Sequence, residues 1–144
     1  MTAPLPRELA AELDLLGLGG AGFTPPPAVA QAARRGLALR ARHKRGGTEV
    51  GLTRAQALVA CRPHTAREMR VIAAWFARFA CLRGRGRWDD ARDPSTGYIA
   101  WLLWGGDAGR DWVEGCRKDW AQRLDLTPRR HPPRIRPMQK AQVR

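Results

Sequence analysis

The sequence is poor in acidic residues and in lysine. Its 144 residues contain 13 Asp plus Glu against 26 Lys plus Arg, so the formal net charge is +13. The only lysines are Lys44, Lys118 and Lys140, and arginine supplies the other basic side chains. A chain this basic is attracted to polyanions, and the planar guanidinium group suits bidentate contacts to phosphate. A nucleic-acid partner is therefore the first expectation.

Long apolar runs and a secretion signal are also lacking. No stretch approaches the roughly 20 apolar residues that span a bilayer, and the first residues do not show the charged, apolar and small-residue order of a signal peptide. The three cysteines, Cys61, Cys81 and Cys116, are odd in number, widely spaced and without a C-x-x-C pair. They predict buried thiols in a reducing compartment. We expect a soluble, intracellular protein without membrane contact.

Apolar periodicity predicts an all-α fold, a compact bundle of five or six short helices with no convincing strand. The clearest helix begins at a capping box, Thr65-x-x-Glu68, and carries apolar residues at three- and four-residue spacing. The other predicted helices are Pro6 to Leu16, Ala28 to Arg42 capped by Thr24, Arg54 to Arg62 capped by Thr53, Tyr98 to Trp104 capped by Ser95, and a last helix capped by Asp107 in which Trp112, Cys116, Trp120 and Leu124 recur at every fourth position.

Composition divides the chain into three parts. Residues 1–23 are an N-terminal helix with a Gly-rich linker, residues 24–126 a helical core domain, and residues 127–144 a basic, Pro-rich arm. The arm has six basic residues, four prolines and no acid, so it cannot fold alone and is predicted to be disordered. Without the arm the chain keeps 20 basic against 13 acidic residues. Positive charge therefore belongs to the body as well as to the arm.

The basic residues fall into groups that are candidate nucleic-acid contacts. The run from Arg34 to Arg45 contains no acid, and its charge exceeds what the dipole at a helix end requires. In the segment Leu82 to Trp88, glycines alternate with arginines, which is typical of a loop that follows a nucleic-acid backbone while the indole stacks on a base. A solvated loop with the indole folded onto the core is the alternative. The candidate residues are Arg34, Arg35, Arg40, Arg42, Lys44, Arg45, Arg67, Arg70, Arg83, Arg85, Arg87, Trp88, Arg129, Arg130, Arg134 and Arg136.

Two local patterns admit more than one interpretation. The helices on either side of Pro63-His64 have the order of a helix-turn-helix, in which Arg67 and Arg70 would face the major groove. Pro63 is unusual at that turn, and a non-specific phosphate surface or a plain helical hairpin with solvated arginines are the alternatives. The glycine pair in Lys44-Arg-Gly-Gly-Thr48 predicts either a backbone anion nest beside two cations or only a helix C-cap.

Catalytic patterns are absent. His43, His64 and His131 are far apart in basic stretches, which lower the pKa of imidazole and disfavour metal cations. The glycines of residues 17–22 have no preceding strand and predict a linker rather than a dinucleotide site. The acids Asp89, Asp90, Asp93, Asp107 and Asp111 are explained by helix N-termini and by pairing with arginines, although they also suit a metal-dependent nuclease. We expect no enzyme, no cofactor and no metal.

The motifs Arg45-Gly-Gly-Thr-x-Val-Gly51 and Ile99-Ala-Trp-Leu-Leu-Trp-Gly-Gly-Asp107 are the most specific in the chain. With them, the region from Gly36 to Trp112 is similar to a small domain of tailed bacteriophages and prophages, found near head-assembly genes. The sequence departs from that domain at Phe79 to Cys81 and at Asp89 to Asp93. The resemblance implies a phage context, in the host cytoplasm or the virion, and brings no catalytic residues.

These observations lead to one hypothesis and two alternatives. The first is a non-catalytic, phage-type protein that binds DNA or RNA through phosphates. The second is a virion structural protein, a head decoration or connector component, whose arm binds an acidic protein surface and whose Trp104 and Trp120 anchor a neighbour. The third is a small adaptor that inhibits or redirects a nucleic-acid enzyme. The six tryptophans, all between Trp75 and Trp120, otherwise indicate a core.

Overall fold

A computed structural model describes residues 22–125, which form six α-helices and no β-sheet. The predicted all-α class is therefore confirmed. The predicted helix at Pro6 to Leu16 and the arm at 127–144 lie outside the described residues. A short 3-10 turn, Ala80–Leu82, follows the third helix. The helices are α1 Pro27–His43, α2 Glu49–Val59, α3 Ala66–Phe79, α4 Thr96–Leu103, α5 Gly106–Gly115 and α6 Arg117–Asp125.

Two helix starts follow the predicted caps. The Thr65 hydroxyl accepts a hydrogen bond from the Glu68 N–H at 3.1 Å, and the Glu68 carboxylate accepts one from the Thr65 N–H at 3.0 Å. This reciprocal pair is the capping box that opens α3. The Ser95 hydroxyl accepts from the Tyr98 N–H at 3.1 Å and so caps α4. Local sequence was sufficient at both sites because each cap bonds only to residues three positions away.

Two predicted caps at the start of the chain's core were wrong. Thr24 does not cap α1, which has Pro26 as its N-cap residue and no side-chain hydrogen bond there. Thr53 lies inside α2, which begins four residues earlier, at Glu49. The hydroxyl of Thr48 accepts from the Gly51 N–H at 3.3 Å and starts α2 there. Gly51 is buried inside this helix, where an added Cβ would lie 3.3 Å from Nε1 of Trp104.

The last predicted helix also differs. Its cap is Gly105, at a φ of 115°, rather than Asp107. Asp107 lies in the first turn of α5, where its carboxylate binds Arg83 and accepts a hydrogen bond from the Trp101 indole at 2.9 Å. The helix is then interrupted at Cys116, which ends α5 before α6 begins. Asp107 does not cap the helix, because its carboxylate bonds to the side chains of Arg83 and Trp101. The local sequence does not reveal these contacts.

The core is built by residues from all six helices. Helix α1 packs against α2, α4 and α5, whereas α3 packs against α5 and α6. Helices α1 and α4 approach closely at Gly36, where an added Cβ would lie 2.8 Å from the Leu103 backbone nitrogen. The largest fully buried side chains come from five of the six helices and from residues 64 and 94: Trp101, Phe76, Leu58, Met69, Ile72, Ile99, Leu103, His64, Val29, Val113 and Pro94.

Most of the tryptophan is in this core, as predicted. Trp101, Trp104 and Trp120 are buried, and the half-buried ring of Trp75 stacks on Trp104 with centroids 4.9 Å apart. Trp104 and Trp120 are therefore not exposed anchors for a neighbouring protein. The burial of these large aromatic surfaces contributes much of the hydrophobic stabilisation.

The prediction of three buried thiols was wrong. Cys61 and Cys81 are exposed and Cys116 is half-buried, and none of the three forms a disulfide. Cys61 follows the end of α2 and has a left-handed backbone, with a φ of 54°, whereas Cys81 lies in the 3-10 turn after α3. Both positions lie past a helix end, where the apolar period that buries a side chain no longer applies.

Candidate nucleic-acid interface

One side of α1 carries only basic and small or uncharged side chains. Its buried residues, Val29, Ala30, Ala33, Gly36 and Leu39, face the core. The exposed positions recur at three- and four-residue spacing and so share the opposite side of the helix. From position 31 to position 42 this side is about 16 Å long, and it contains no acid. The exposed residues are Gln31, Arg34, Arg35, Ala38, Ala41 and Arg42, with Lys44 and Arg45 directly after the helix.

The basic residues of α1 differ in their partners. Arg34, Arg42 and Lys44 are exposed and form no ion pair or hydrogen bond through their side chains with any residue in the range 22–125. Arg35 lies 3.7 Å from Asp89, at the edge of an ion pair. Arg40 Nε donates to the Gly46 carbonyl at 3.2 Å. The unpaired side chains keep their charge available to an external anion.

The Arg-Gly segment is a loop, as predicted, but its arginines are divided among different partners. Arg83 forms two hydrogen bonds to the Asp107 carboxylate, at 2.9 and 2.5 Å, and this pairing lowers the pKa of Asp107. Arg85 is exposed and has no ion pair within the described part of the chain. Arg87 Nε lies 3.0 Å from an Asp93 oxygen. Only Arg85 of the three is fully free to contact a ligand.

An acidic loop, residues 89–93, joins the end of α1 to the Arg-Gly segment. The Asp93 carboxylate pairs with both Arg45 and Arg87, and the His43 ring nitrogen lies 3.3 Å from the Ala91 carbonyl. The hydrogen bond from Arg45 lowers the pKa of Asp93, and the charge of Arg87 adds to the effect. Arg45, just after α1, and Arg87, in the Arg-Gly segment, therefore lie in one region although they are far apart in sequence. We call the residues Arg34, Arg35, Arg40, Arg42, Lys44, Arg45 and Arg87 the α1 surface.

Trp88 does not project from the loop. Its half-buried ring packs edge-on against Tyr98 and Trp101, with centroids 5.2 and 5.7 Å away. The Tyr98 hydroxyl in turn donates to Asp89 at 3.0 Å. This arrangement favours the interpretation in which the indole belongs to the core, and it holds the acidic loop in place. A role for Trp88 in stacking on a base stays a prediction without support from its placement.

Arg67 and Arg70 lie in the first two turns of α3 and are exposed, as a groove-reading helix requires. Neither forms an ion pair or a side-chain hydrogen bond within residues 22–125. Between them, Glu68 is held by Arg54 at 3.0 Å and by Arg62 at 2.6 Å. These two arginines thus lie on a different helix from the candidates of α1. The candidate arginines of the arm, Arg129, Arg130, Arg134 and Arg136, lie outside the described residues.

The turn before α3 is covered by the residues that precede α1. Phe23 and His64 exchange two backbone hydrogen bonds, of 2.7 and 2.8 Å, in an isolated antiparallel bridge. The Arg123 guanidinium also lies over the ring of Phe23, with Cζ of Arg123 4.3 Å from the ring centroid. An added Cβ at Gly22 would collide with the His64 carbonyl. The turn is therefore anchored to two other parts of the molecule, which the sequence pattern of the hairpin did not reveal.

His64 is fully buried at this turn. Its Nδ1 donates to the Arg62 carbonyl at 2.7 Å, so Nε2 carries no proton in the neutral ring, and Nε2 has no hydrogen-bond partner among the described residues. Burial, and then the positive charge of Arg54, lowers the pKa of His64 to about 4. The sequence predicted this direction from the basic neighbours, but burial is the larger cause.

The pKa of Glu68, in the first turn of α3, is also lowered. Burial alone would raise the pKa of Glu68, but hydrogen bonds from Arg62, from the Thr65 N–H and from Arg54 outweigh burial and lower the pKa to about 2. This carboxylate both caps α3 and links α2 to α3. Its role is structural, because both of its oxygens are already used by these donors.

The two most specific motifs of the sequence meet in space. An added Cβ at Gly46 would lie 2.6 Å from the Ile99 Cβ, and one at Gly47 would collide with Leu103. Gly46 and Gly47 also have φ angles of 94° and 76°, which favour glycine. The turn after α1 therefore sits directly on α4. Packing between this turn and α4 therefore explains why the glycines of the first motif and the apolar residues of the second are needed.

Two further findings concern metal binding and membrane-spanning helices in the described region. Residues 22–125 contain no group of three or more His, Cys, Asp or Glu side chains placed to hold a metal ion. In the same range no helix is long and apolar enough to cross a membrane.

Comparison of the chain with protein-family models, with curated proteins and with solved structures finds no match. The similarity to a phage domain consequently rests on its two motifs alone and stays a prediction.

Proposed function

We propose that this chain is a non-catalytic, phage-type nucleic-acid-binding protein that contacts phosphates through the α1 surface, the Arg-Gly loop and the C-terminal arm. The exposed side of α1 carries the proposal, since it presents Arg34 and Arg42 unpaired on a helix face without acids. Such a surface attracts the phosphate backbone and releases its counterions. The alanines at positions 38 and 41 leave room for the backbone to approach the helix.

The composition of this face favours contact with phosphates rather than with bases. Arginine can contact either phosphates or guanine edges, and readout of adenine uses Asn or Gln, whereas phosphate contacts carry no sequence information. Gln31 is the one uncharged polar side chain on the exposed side of α1. We therefore expect little sequence preference. Of the virion alternative, the tryptophan anchors are not available, because Trp104 and Trp120 are buried, while its basic arm lies outside the described residues.

Titrations with duplex DNA, single-stranded DNA and RNA at two salt concentrations test the proposal. We expect the full chain to bind at low salt and to lose affinity with a slope of about −0.9Z in log salt, where Z is the number of neutralised phosphates on duplex DNA. A chain truncated after Asp125 should bind more weakly and with a smaller slope, because the arm's six basic residues are removed. Absence of binding at low salt by the full chain would overturn the proposal and favour an acidic protein partner.

Removing the charge of the acidic loop should tighten binding. Asp89 and Asp93 pair with Arg35, Arg45 and Arg87, so they compete with phosphate for the same guanidinium groups. We expect the Asp89→Asn, Asp93→Asn double variant to bind duplex DNA about fivefold more tightly at low salt, because the paired guanidinium groups then face phosphate without a competing carboxylate.

A matched control separates this effect from a general change in net charge. Asp119→Asn with Asp125→Asn removes the same charge from α6, far along the chain from the acidic loop, and should alter affinity much less. Asparagine also suits the left-handed backbone of Asp89, whose φ is 56°. Equal affinities of the two double variants would show that the acidic loop does not mask the binding surface.

A further inference from the structure

A pocket opens at the turn between α1 and α2. It has a volume of about 440 Å³, which is within the range of clefts that bind small ligands. Three of its six lining residues are basic, and no acidic side chain of the described region lines it. Thr48, the cap of α2, follows it directly in sequence. The lining residues are Arg40, Ala41, Lys44, Arg45, Gly46 and Gly47.

The cationic side chains of this pocket are held in different ways. Arg40 is half-buried, and its Nε donates to the Gly46 carbonyl, which fixes the guanidinium against the turn. Lys44 is exposed, has a φ of 52°, and its ammonium group has no partner among residues 22–125. Arg45 is turned towards Asp93. The pocket thus combines one fixed guanidinium with one free ammonium group.

The backbone of the turn adds donors. The N–H groups of Arg45, Gly46 and Gly47 donate to no acceptor within the described part of the chain. Successive backbone N–H groups in a turn with left-handed residues form concavities that bind anions. Because the glycines pack on Ile99 and Leu103, the turn is held in this conformation before any ligand arrives. Little ordering free energy is lost when an anion binds to such a turn.

We propose that this pocket is a phosphate subsite, which takes one phosphate group of the nucleic-acid backbone bound to the α1 surface. The inference rests on the proposed function for the source of the phosphate. A phosphate oxygen accepts from backbone N–H groups and from guanidinium and ammonium groups together, which matches the donors of the turn. The Gly46 carbonyl, one acceptor of this turn, already accepts a hydrogen bond from Arg40.

The test follows the backbone amide signals of Arg45, Gly46 and Gly47 in NMR spectra of the full chain. Duplex DNA is one titrant and inorganic phosphate is the other, with sodium chloride at matched ionic strength as the control for general salt effects. Lys44→Asn removes the free ammonium group and keeps a residue that tolerates a positive φ. Lys118→Asn on α6 removes the same charge elsewhere.

We expect both duplex DNA and inorganic phosphate to move these three amide signals, while chloride does not. Lys44→Asn should weaken duplex binding about fivefold and lower the salt slope by about 0.9, the value for one phosphate contact, whereas Lys118→Asn should leave both nearly unchanged. The melting temperature of each variant, measured in parallel, confirms that it is folded.

The outcomes separate the subsite from the proposed function. Binding of duplex DNA that leaves the three amides unmoved, or that is equally strong in Lys44→Asn, overturns the subsite and leaves the proposed function standing. If duplex DNA does not bind at all, the proposed function fails, and inorganic phosphate then decides the subsite. Signals moved by phosphate and not by chloride support a site for a free phosphate group, and unmoved signals overturn it.

Discussion

Replacing Arg34 and Arg42 by alanine is expected to weaken duplex DNA binding on the order of 30-fold at low salt. Both side chains are exposed on the outer side of α1 and have no ion pair among the described residues, so their charge is free for phosphate. Each lost contact accounts for about 1 kcal/mol. The slope of log affinity against log salt should fall by about 1.8, the value for two phosphates.

Fluorescence anisotropy at several salt concentrations measures both quantities. Arg117→Ala with Lys118→Ala is the control for net charge, because it removes two positive charges from exposed positions of α6, one of them from an arginine that pairs with Glu114 at 3.3 Å. Alanine is a good helix former, so neither double variant should lower the helix content seen by circular dichroism. A loss of affinity that is the same in the two variants would show that net charge, and not the α1 surface, determines binding.

Acidification is expected to destabilise the fold through His64. The pKa of this buried ring is about 4 in the folded protein, against 6.5 ordinarily. Between these two values the unfolded chain binds a proton that the folded chain does not. The free energy of unfolding therefore falls as the pH decreases from about 6.5 to about 4, by roughly 3 kcal/mol in total. Below pH 4 both states are protonated and His64 contributes no further loss.

The charged groups around His64 agree with this direction. Arg54 and Arg62 oppose a positive charge on the ring, while Glu68 favours it but is less effective than burial and Arg54 combined. Glu68 itself has a pKa of about 2 against 4.5 ordinarily. Its stabilisation is lost as the pH falls from 4.5 to 2, so its pH range overlaps that of His64 only between about pH 4 and pH 4.5. The two effects can be distinguished by pH.

Urea denaturation followed by tryptophan fluorescence, at steps from pH 7.5 to pH 4.5, measures the effect of His64. In His64→Gln the decline of stability between pH 6.5 and pH 5 should largely disappear, although the variant starts from a lower stability because it loses part of the buried contact with Trp112. His43→Gln, at the exposed end of α1, should keep the decline. An unchanged pH dependence in His64→Gln would contradict the assignment.

The acidic loop shows how tertiary structure changes the meaning of a charge count. From the sequence, Asp89, Asp90 and Asp93 partly balance the arginines that precede them. In the structure, Asp89 and Asp93 also pair with Arg35 and Arg45, about 50 positions earlier in the sequence. Of the arginines of α1, Arg34 and Arg42 consequently have no ion pair among residues 22–125, and the sequence alone did not single them out from their neighbours.

Several features were determined by the sequence itself. The helical class, the capping box at Thr65 and Glu68, the cap at Ser95 and the tryptophan core were predicted correctly, because each depends on spacings of three or four residues along one helix. The basic, acid-free side of α1 is visible in the same way. These signals are local, and the chain does not need its final fold to express them.

Only the tertiary structure decided the rest. It moved the start of α2 to Thr48, took Asp107 into pairs with Arg83 and Trp101, and buried His64 beneath Phe23. It also brought Arg45 and Arg87 together on Asp93. Each of these outcomes depends on groups distant in sequence whose meeting is set by packing of helices around the core. The composition determines the net positive charge, and the fold determines which arginines have no ion pair among residues 22–125.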